Sequence, residues 1–363
     1  MSGPTTIDLF AGCGGLTRGF ADAGFTHIAA NELDLAAASS FAANFGETGV
    51  SHGDIADFVD VPQADVVVGG PPCQGFSQIG TRDPDDPRNS LWREYMRVVL
   101  EANPQVFVLE NVGRFCKSAE FDLLMGELTT GQLKRWKHAS VGVVNAADFG
   151  VPQTRKRTVI VASRVGPISL PTPTHAKGGA DGLEPWVTLR DAIGSVDWDV
   201  PTTTLPKSSV EFFGQRVPGV YKGLDVHVGR NPTELSLKRY DVIPPGGGRF
   251  DLPFDMQPPC WQNKKTGTTD VMGRLRWEQP SVTIRTEFNK PEKGRYLHPQ
   301  WEKRSRRKRV NRALTHFEAA LVQSFPEDYL WCGTKTQIAR QIGNAVPPLL
   351  ASSIAWTVRA SLS

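Results

Sequence analysis

The stretch TTIDLFAGCGGLTRGF, residues 5–20, decides the fold class of this chain. Residues 5–10 are typical of a short strand, a glycine-rich turn follows, and residues 16–20 are helix-like. Strand, glycine turn and helix in this order open the nucleotide-binding half of a doubly wound α/β sheet. The dinucleotide fingerprint requires a further glycine at position 17, where Thr17 stands. The turn therefore indicates an adenosine-like ligand and fits NAD poorly.

Two more predicted strands end in carboxylates. Glu32 closes a strand at 27–32, 20 residues after Gly12, which is the spacing that suits hydrogen bonds to ribose hydroxyls. Asp54 follows a third strand end, where it could accept from an adenine amino group while Ile55 packs on the ring. Either carboxylate alone is more often an exposed loop group, but successive strand ends beside a glycine turn favour binding.

Residues 64–77, ADVVVGGPPCQGFS, contain the candidate chemical centre. The β-branched start predicts a buried parallel strand, and two glycines and two prolines then end it. Cys73 follows on a stiff loop and is a candidate nucleophile, although a lone cysteine is more often a small buried apolar residue. Glu110 ends another predicted strand at the same sheet edge. A nucleophile beside a carboxylate that can share a proton favours attack on a nitrogen heterocycle.

The rest of the first half is predicted from its patterns. Helices are expected at 91–102 and about 118–133, and an antiparallel hairpin is expected from strands at 140–144 and 158–162. If the segment between these two strands is extended, Arg155 and Arg157 share a face. Two guanidiniums on one face can hold a phosphate or a carbonyl oxygen.

Charge is unevenly distributed along the 363 residues. Residues 151–312 contain 28 Lys and Arg against 16 Asp and Glu, a net of +12, whereas the remainder contains 13 against 22, a net of −9. A basic middle within an acidic frame is a candidate polyanion-binding surface, and a merely solvated basic surface is the alternative.

The cysteines and the apolar runs limit the class of protein. Five cysteines are scattered without a Cys-x-x-Cys pair, which argues against a disulfide framework or a zinc site and favours a reducing compartment. No apolar run is long enough to cross a bilayer, and residues 1–4 lead directly into a strand without a signal peptide.

From about 163 to 273 the strand–helix rhythm is lost. Aromatic and basic residues are interspersed there, as is typical of a loop-rich lobe that contacts nucleic acid. The basic run 303–309 is either a phosphate contact or an exposed solvated loop. A helix is then predicted at 315–323, with Thr315 as N-cap and Glu318 completing a capping box, and Pro348 is expected to open a final helix.

Six motifs in order resemble the bacterial DNA (cytosine-5) methyltransferase family over nearly the whole chain. They are DLFAGCGG at 8–15, GGPPCQGFS at 69–77, ENV at 110–112, QTRKR at 153–157, RWEQPSVTI at 276–284 and QIGNAVPP at 341–348. The resemblance implies an α/β, doubly wound (Rossmann-like) S-adenosylmethionine-dependent methyltransferase domain with a second, loop-rich target-recognition domain. Residues 1–184, completed by 313–363, would form the catalytic and cofactor-binding domain, and 185–312 the target-recognition domain with its hinge.

The resemblance also implies roles for individual residues. Cys73 would add to C6 of a flipped-out cytosine, Glu110 would hold its N3 and amino edge, and Arg157 with Arg155 would contact the O2 side. The methyl group would pass from S-adenosyl-L-methionine to C5 without a metal, leaving S-adenosyl-L-homocysteine. The implied cofactor-binding residues are Phe10, Gly12, Gly14, Gly15, Leu16, Glu32, Leu33, Asp54, Ile55, Leu91, Asn344 and Val346.

Partners and location follow from the same resemblance. The expected partner is double-stranded DNA carrying a specific sequence, with a cognate restriction endonuclease acting on the same site, unless the protein is an orphan modification enzyme. A monomer without membrane association is expected in the bacterial cytoplasm, at the nucleoid.

Three alternative functions are considered. A tRNA cytosine-5 methyltransferase would share these motifs, but the large variable lobe favours duplex DNA. A nicotinamide-dependent oxidoreductase is disfavoured by Thr17 and by Cys73 with Glu110. A catalytically inactive DNA-binding regulator is disfavoured because each motif residue is present.

Overall fold

A seven-stranded sheet lies at the centre of the computed structural model, which describes residues 3–72, 91–200, 202–262, 266–301 and 309–362. Cys73 and residues 303–308 of the basic run lie outside the described residues. The strands of this sheet are β1 (Thr5–Leu9), β2 (Thr26–Glu32), β3 (Val50–His52), β4 (Val66–Gly69), β5 (Val106–Val112), β6 (His138–Asn145) and β7 (Lys156–Ser163).

The strand order is β3-β2-β1-β4-β5-β7-β6. Neighbours from β3 to β5 are parallel, and β7 runs antiparallel to both β5 and β6. The strand order therefore reverses between β1 and β4, which is where ligands of doubly wound folds bind. The predicted fold class and the predicted β6–β7 hairpin are confirmed.

Ten α-helices are present in the described residues. They are α1 (Gly15–Asp22), α2 (Leu35–Phe45), α3 (Leu91–Ala102), α4 (Ala119–Thr129), α5 (Leu189–Ile193), α6 (Glu234–Val242), α7 (Pro259–Gln262), α8 (His316–Val322), α9 (Lys335–Asn344) and α10 (Pro348–Leu362). The predicted capping box of α8 is confirmed, because the Thr315 hydroxyl accepts from the Glu318 amide and the Glu318 carboxylate accepts from the Thr315 amide.

Helix α4 ends four residues before the predicted boundary at Leu133. The hydroxyls of Thr129 and Thr130 donate to the carbonyl of Gly126 and compete with the helical bonding pattern. The chain then leaves the helix at Gly131, and a short 3₁₀ turn at Lys134–Trp136 leads into β6.

The two faces of the sheet bury different helices. On one face Val67 and Phe107 pack against Tyr95 and Val99 of α3. On the other face Val66, Val68 and Val106 pack against α1 and the C-terminal helix α10. The end of the chain thereby returns to its beginning, and α10 lies directly against α1.

A second hydrophobic core contains residues from the predicted target-recognition domain, 185–312, and from the C-terminal segment, 313–363. Leu189, Tyr221 and Ile284 are buried together with Phe317 of α8 and Ile338 of α9. The predicted domain boundaries at 184 and 312 stay a prediction. The remaining described strands form three two-stranded pieces: β8 (His175–Ala176) with β9 (Glu184–Pro185), β10 (Ser209–Phe212) with β11 (Gln215–Pro218), and β12 (Gly273–Arg274) with β13 (Arg295–Leu297).

Candidate active site

A cavity of about 490 Å³ opens at the carboxyl ends of the parallel strands. It lies where the strand order reverses, between the neighbouring strands β1 and β4, as the fold predicts. Of the predicted site residues, it is lined by Phe10, Gly12, Gly15, Leu16, Glu32, Leu33, Asp54, Ile55, Leu91, Asn344 and Val346, and also by Glu110, Arg155 and Arg157. The residues predicted for the cofactor and those predicted for the chemistry therefore share one cavity.

The glycine turn after β1 presents bare backbone to this cavity. Gly12 has a φ of +57°, and a Cβ at this position would meet no atom within 4 Å. Its amide donates to Glu32 Oε2 at 2.8 Å, and Glu32 Oε1 accepts from the Asp34 amide at 2.8 Å. Burial raises the pKa of Glu32, although these backbone hydrogen bonds oppose the shift. Glu32 thus joins the β1 turn to the end of β2.

Gly14 and Gly15 have different surroundings. Gly14, the N-cap of α1 with a φ of +93°, does not line the cavity, and a Cβ there would lie 2.4 Å from the Phe45 ring. Gly15 does line the cavity, and its Cβ would lie 2.3 Å from the carbonyl oxygen of Val346. These two glycines permit close packing, whereas Gly12 exposes backbone to a ligand.

The Asp54 and Ile55 pair lies at the end of β3. The Asp54 carboxylate accepts from the Ala56 amide at 3.0 Å and is exposed. Ile55 is 3% exposed, packs into the core beneath the sheet, and still lines the cavity. This arrangement has a polar acceptor and an apolar surface side by side, as a heterocyclic ring requires.

Glu110 and Arg157 form a nearly buried ion pair. Arg157 Nε lies 2.8 Å from Glu110 Oε1. Burial raises the pKa of Glu110, and the charges of Arg157 and Arg155 oppose that shift. A carboxyl group with a raised pKa is protonated more easily than usual and can share a proton with a ligand nitrogen.

Arg155 faces the cavity, but its donors contact backbone. Its Nη1 donates to the Ile284 carbonyl at 2.9 Å, and its Nη2 donates to the carbonyls of Gly343 and Ala345 at 2.9 and 3.0 Å. Burial lowers the pKa of Arg155 to about 9, and the nearby charge of Arg157 adds to this effect. The geometry indicates that Arg155 ties its own segment to two others around the cavity, at residue 284 and at residues 343–345.

The residues that directly precede Cys73 line the same cavity. Gly70, Pro71 and Pro72 line it, and the Asn111 side chain donates to the Pro71 carbonyl at 2.9 Å. Asn111 belongs to the ENV motif, but sequence reasoning assigned it no role. Its position near a strand end, beside a carboxylate and two residues before a glycine, was the available signal.

Other lining residues were not predicted. They are Ala11, Asn31, Asp34, Ala37, Val112, Gln337, Arg340, Gln341, Gly343 and Ala345, besides the loop residues and Asn111. Asp34 caps α2 and lies 3.7 Å from Arg340 of α9 in an ion pair across the cavity wall. The sequence gives no local signal for Arg340, because tertiary packing alone brings α9 to this edge.

Two further properties concern the part of the chain that the structure describes. No group of three or more His, Cys, Asp or Glu side chains is placed to hold a metal ion there. None of its helices is both long and apolar enough to span a bilayer.

The fold and the cavity define a doubly wound α/β enzyme with a nucleotide-type site at the carboxyl edge of its sheet. The model of the C-5 cytosine-specific DNA methylase family matches residues 4–199 and 253–359. The chain therefore belongs to the C-5 cytosine-specific DNA methylase family, and its class of enzyme is DNA (cytosine-5)-methyltransferase. The resemblance inferred from the six motifs is confirmed.

Relatives and solved structures agree with this assignment. Type II methyltransferase M1.HphI of Haemophilus parahaemolyticus is 33% identical, with 98% of this chain and 86% of the relative covered. Type II methyltransferase M.NgoFVII of Neisseria gonorrhoeae is 32% identical, with 95% and 83% covered. The structure of the S. pombe Dnmt2 methyltransferase has a TM-score of 0.62 at 15% identity, with 99% of this chain and 98% of that chain covered, and shows the fold alone.

Proposed function

We propose that this protein transfers a methyl group to C5 of a cytosine flipped out of a specific sequence in duplex DNA, through a covalent intermediate with Cys73. One observation carries the proposal: the Gly12–Glu32 turn and the Glu110–Arg157 pair open into one cavity, together with the loop residue that precedes Cys73. A donor of the methyl group and a flipped base could therefore meet there.

The residues of the cavity fit S-adenosylmethionine. Glu32 would bind the ribose hydroxyls, and Asp54 with Ile55 would bind the adenine. The uncovered backbone at Gly12 leaves room for the methionine moiety beside Asn344 and the residues around it. When bound, S-adenosylmethionine supplies an activated methyl group on its sulfonium and leaves as S-adenosylhomocysteine.

The chemistry on the base falls to this chain's own side chains. The thiolate of Cys73 adds to C6, and the electron pair of the C5–C6 double bond makes C5 nucleophilic. Glu110 shares a proton with N3 and accepts from the amino group, which stabilises the adduct. Arg157 would donate to O2 as well as pairing with Glu110. After C5 is methylated, loss of the C5 proton and release of the sulfur from C6 restore the double bond and the free Cys73.

The base must leave the duplex to reach this cavity, at a cost of a few kcal/mol. The basic lobe would offset that cost through phosphate contacts. Residues 185–312 would read the sequence, and residues 200–252 of this lobe lie outside the family match. The Type II relatives favour a restriction-modification role, with a cognate endonuclease that the methylated site resists. The enzyme would then act as a monomer on DNA in the bacterial cytoplasm.

The covalent step is tested by trapping. Wild-type protein incubated with S-adenosylmethionine and duplex DNA that contains 5-fluorocytosine should form a denaturation-resistant complex, because the fluorine cannot leave as a proton does. Cys73→Ala should form none and should methylate no DNA. The matched control is Cys260→Ala, since Cys260 is an exposed thiol of the second lobe. Methylation by Cys73→Ala at the wild-type rate would refute the mechanism.

The cofactor assignment is tested separately by calorimetry. Glu32→Ala and Asp54→Ala should each bind S-adenosylmethionine at least tenfold more weakly than the wild type. Asp57→Ala removes an exposed carboxylate from the same 3₁₀ turn and is the control for Asp54. Unchanged affinity in both test variants would contradict the assignment. Bisulfite sequencing of DNA from cells that express the protein would identify the methylated sequence.

A further inference from the structure

The rim of the cavity must hold the part of a nucleotide that stays outside. If the proposed function is correct, the flipped base enters beside Glu110, while its flanking phosphates remain within one nucleotide's reach of that carboxylate. Neither Arg155 nor Arg157 is left for them: Arg155 donates to three carbonyls, and Arg157 pairs with Glu110 and would also donate to O2 of the base. A phosphate contact therefore requires further cations at this edge.

Arg114 and Lys156 are located at this rim. In the β5–β7 pair Val112 lies opposite Arg157, so the next residue, Gly113, faces Lys156. A Cβ on Gly113 would lie 3.3 Å from the Lys156 Cβ, which shows how closely the two segments approach. Arg114 follows directly. Lys156 thus lies between Arg155 and Arg157, which line the cavity, and Arg114 lies two residues beyond Val112, which also lines it.

The backbone beneath both cations is fixed. Arg157 Nη1 donates to the Lys156 carbonyl at 2.8 Å, which ties Lys156 to the Glu110–Arg157 pair. The Arg114 carbonyl accepts from the Lys117 amide at 2.9 Å, and Phe115, 4% exposed, anchors that turn in the core. The two side chains therefore extend from rigid positions.

Arg114 and Lys156 also have unused charge. Both are exposed, and neither forms an ion pair or a side-chain hydrogen bond with the described residues. The carboxylate on the same strand, Glu110, is buried and is paired with Arg157. We propose that Arg114 and Lys156 bind the DNA phosphates that flank the flipped cytosine, and so position the base for Cys73 and Glu110.

The test measures the binding of a fluorescent, mixed-sequence DNA duplex at several salt concentrations. Each phosphate contact contributes about 0.9 to the slope of log affinity against log salt. The double variant Arg114→Gln/Lys156→Gln should therefore lower the slope by about two and weaken binding at least roughly tenfold at moderate salt. Calorimetry with S-adenosylhomocysteine should give the wild-type affinity and so verify the fold.

The matched control is Arg135→Gln/Lys137→Gln, which removes the same charge from the opposite edge of the sheet. Both residues are exposed. They lie three residues and one residue before His138, which pairs with Ser163 at the edge where β5 begins. This control should retain the wild-type slope. An unchanged slope in the Arg114 and Lys156 variant, or an equal decrease in both variants, would overturn the proposal.

A second measurement needs no variant. DNA should protect Lys156 of the wild-type protein from acetylation, while Lys137 stays as reactive as without DNA; equal reactivity of Lys156 with and without DNA would also overturn the proposal. The proposed function fails by a different result, namely no transfer of labelled methyl from S-adenosylmethionine to DNA by the wild-type protein.

Discussion

At the scale of single residues, polar side chains that are buried at strand ends hold the site in shape. Asn111 is 5% exposed, its amide nitrogen donates to the Pro71 carbonyl, and its oxygen accepts from the Val112 amide. Asp8 is fully buried near the end of β1, where its Oδ2 accepts from both the amide and the hydroxyl of Thr17. Neither residue is assigned a contact with a ligand, so the effect of each is measured on a different property: the rate of methyl transfer for Asn111 and the pH dependence of stability for Asp8.

Asn111→Ala should slow methyl transfer without weakening cofactor binding. The substitution frees the carbonyl of Pro71, two residues before Cys73, so the nucleophile loses part of its alignment. We expect a decrease in kcat of tenfold or more, measured as the rate of a single turnover on DNA. Calorimetry with S-adenosylhomocysteine should give the wild-type affinity. A wild-type single-turnover rate would show that this hydrogen bond does not position the loop.

Asp8→Asn should flatten the dependence of stability on pH. Burial raises the pKa of Asp8 to about 7, although the Thr17 hydrogen bonds oppose the shift. Between about pH 4 and pH 7 the folded protein keeps a proton on Asp8 that the unfolded chain releases. This residue therefore stabilises the fold less as pH rises through that window.

Urea unfolding at several pH values measures this effect as the difference in the free energy of unfolding between the variant and the wild type. The difference should change by more than about 1 kcal/mol across the window. Asp22→Asn, at the exposed end of the same helix, is the control and should give a constant difference. A constant difference for Asp8→Asn would mean that Asp8 is ionised in the folded protein.

At the scale of elements, the contact between α1 and α10 closes the cofactor side of the sheet. Gly15 and Gly19 of α1 face the last segment of the chain. A Cβ on Gly19 would lie 2.4 Å from the Ala351 Cβ and 2.4 Å from the Ser352 amide nitrogen. The two helices can approach this closely only because glycine occupies the contact position.

Gly19→Ala should destabilise the protein, whereas Gly126→Ala should stabilise it. Both glycines are inside helices, where alanine is ordinarily favoured by about 1 kcal/mol. The Cβ at Gly126 would meet nothing within 4 Å, so the helical gain should be fully expressed there. At Gly19 the clash with α10 should cost about 1–3 kcal/mol and reverse the sign. Thermal unfolding of both variants measures the effect, and a higher Tm for Gly19→Ala would contradict the packing described here.

At the scale of the whole molecule, buried arginines join segments that are distant in the sequence. Arg155 binds carbonyls of residues 284, 343 and 345. Arg274 is fully buried in the second lobe and donates to carbonyls that include those of Tyr240, Ile243 and His298. Part of the positive charge of residues 151–312 is therefore structural, and only its exposed cations can contact DNA.

Arg155→Met should destabilise the free protein. A residue that only contacted the base would have no such effect in the absence of DNA. The substitution removes the donor from two buried carbonyls and one partly buried carbonyl, each at a cost of up to about 1–3 kcal/mol. We expect the free energy of unfolding to fall by at least about 3 kcal/mol in urea titrations. Arg285→Met is the control, because the guanidinium of Arg285 is exposed and its pair with Asp270 should contribute less than about 1 kcal/mol. A fully stable but inactive Arg155→Met would instead support direct contact with the base.

The sequence by itself determined those features of the protein that depend on residues close together in the chain. Alternating and continuous apolar runs predicted the strands, Thr315 and Glu318 predicted the start of α8, and ordered motifs predicted the family. The tertiary structure decided what each group contacts. In the folded protein Gly14 lies outside the cavity, Arg155 donates to backbone carbonyls, and Arg340 lies at the cavity wall. These outcomes depend on contacts between segments that are far apart in the chain, such as Arg155 with Gly343. No local sequence pattern indicates which distant carbonyl will accept a hydrogen bond from such a side chain.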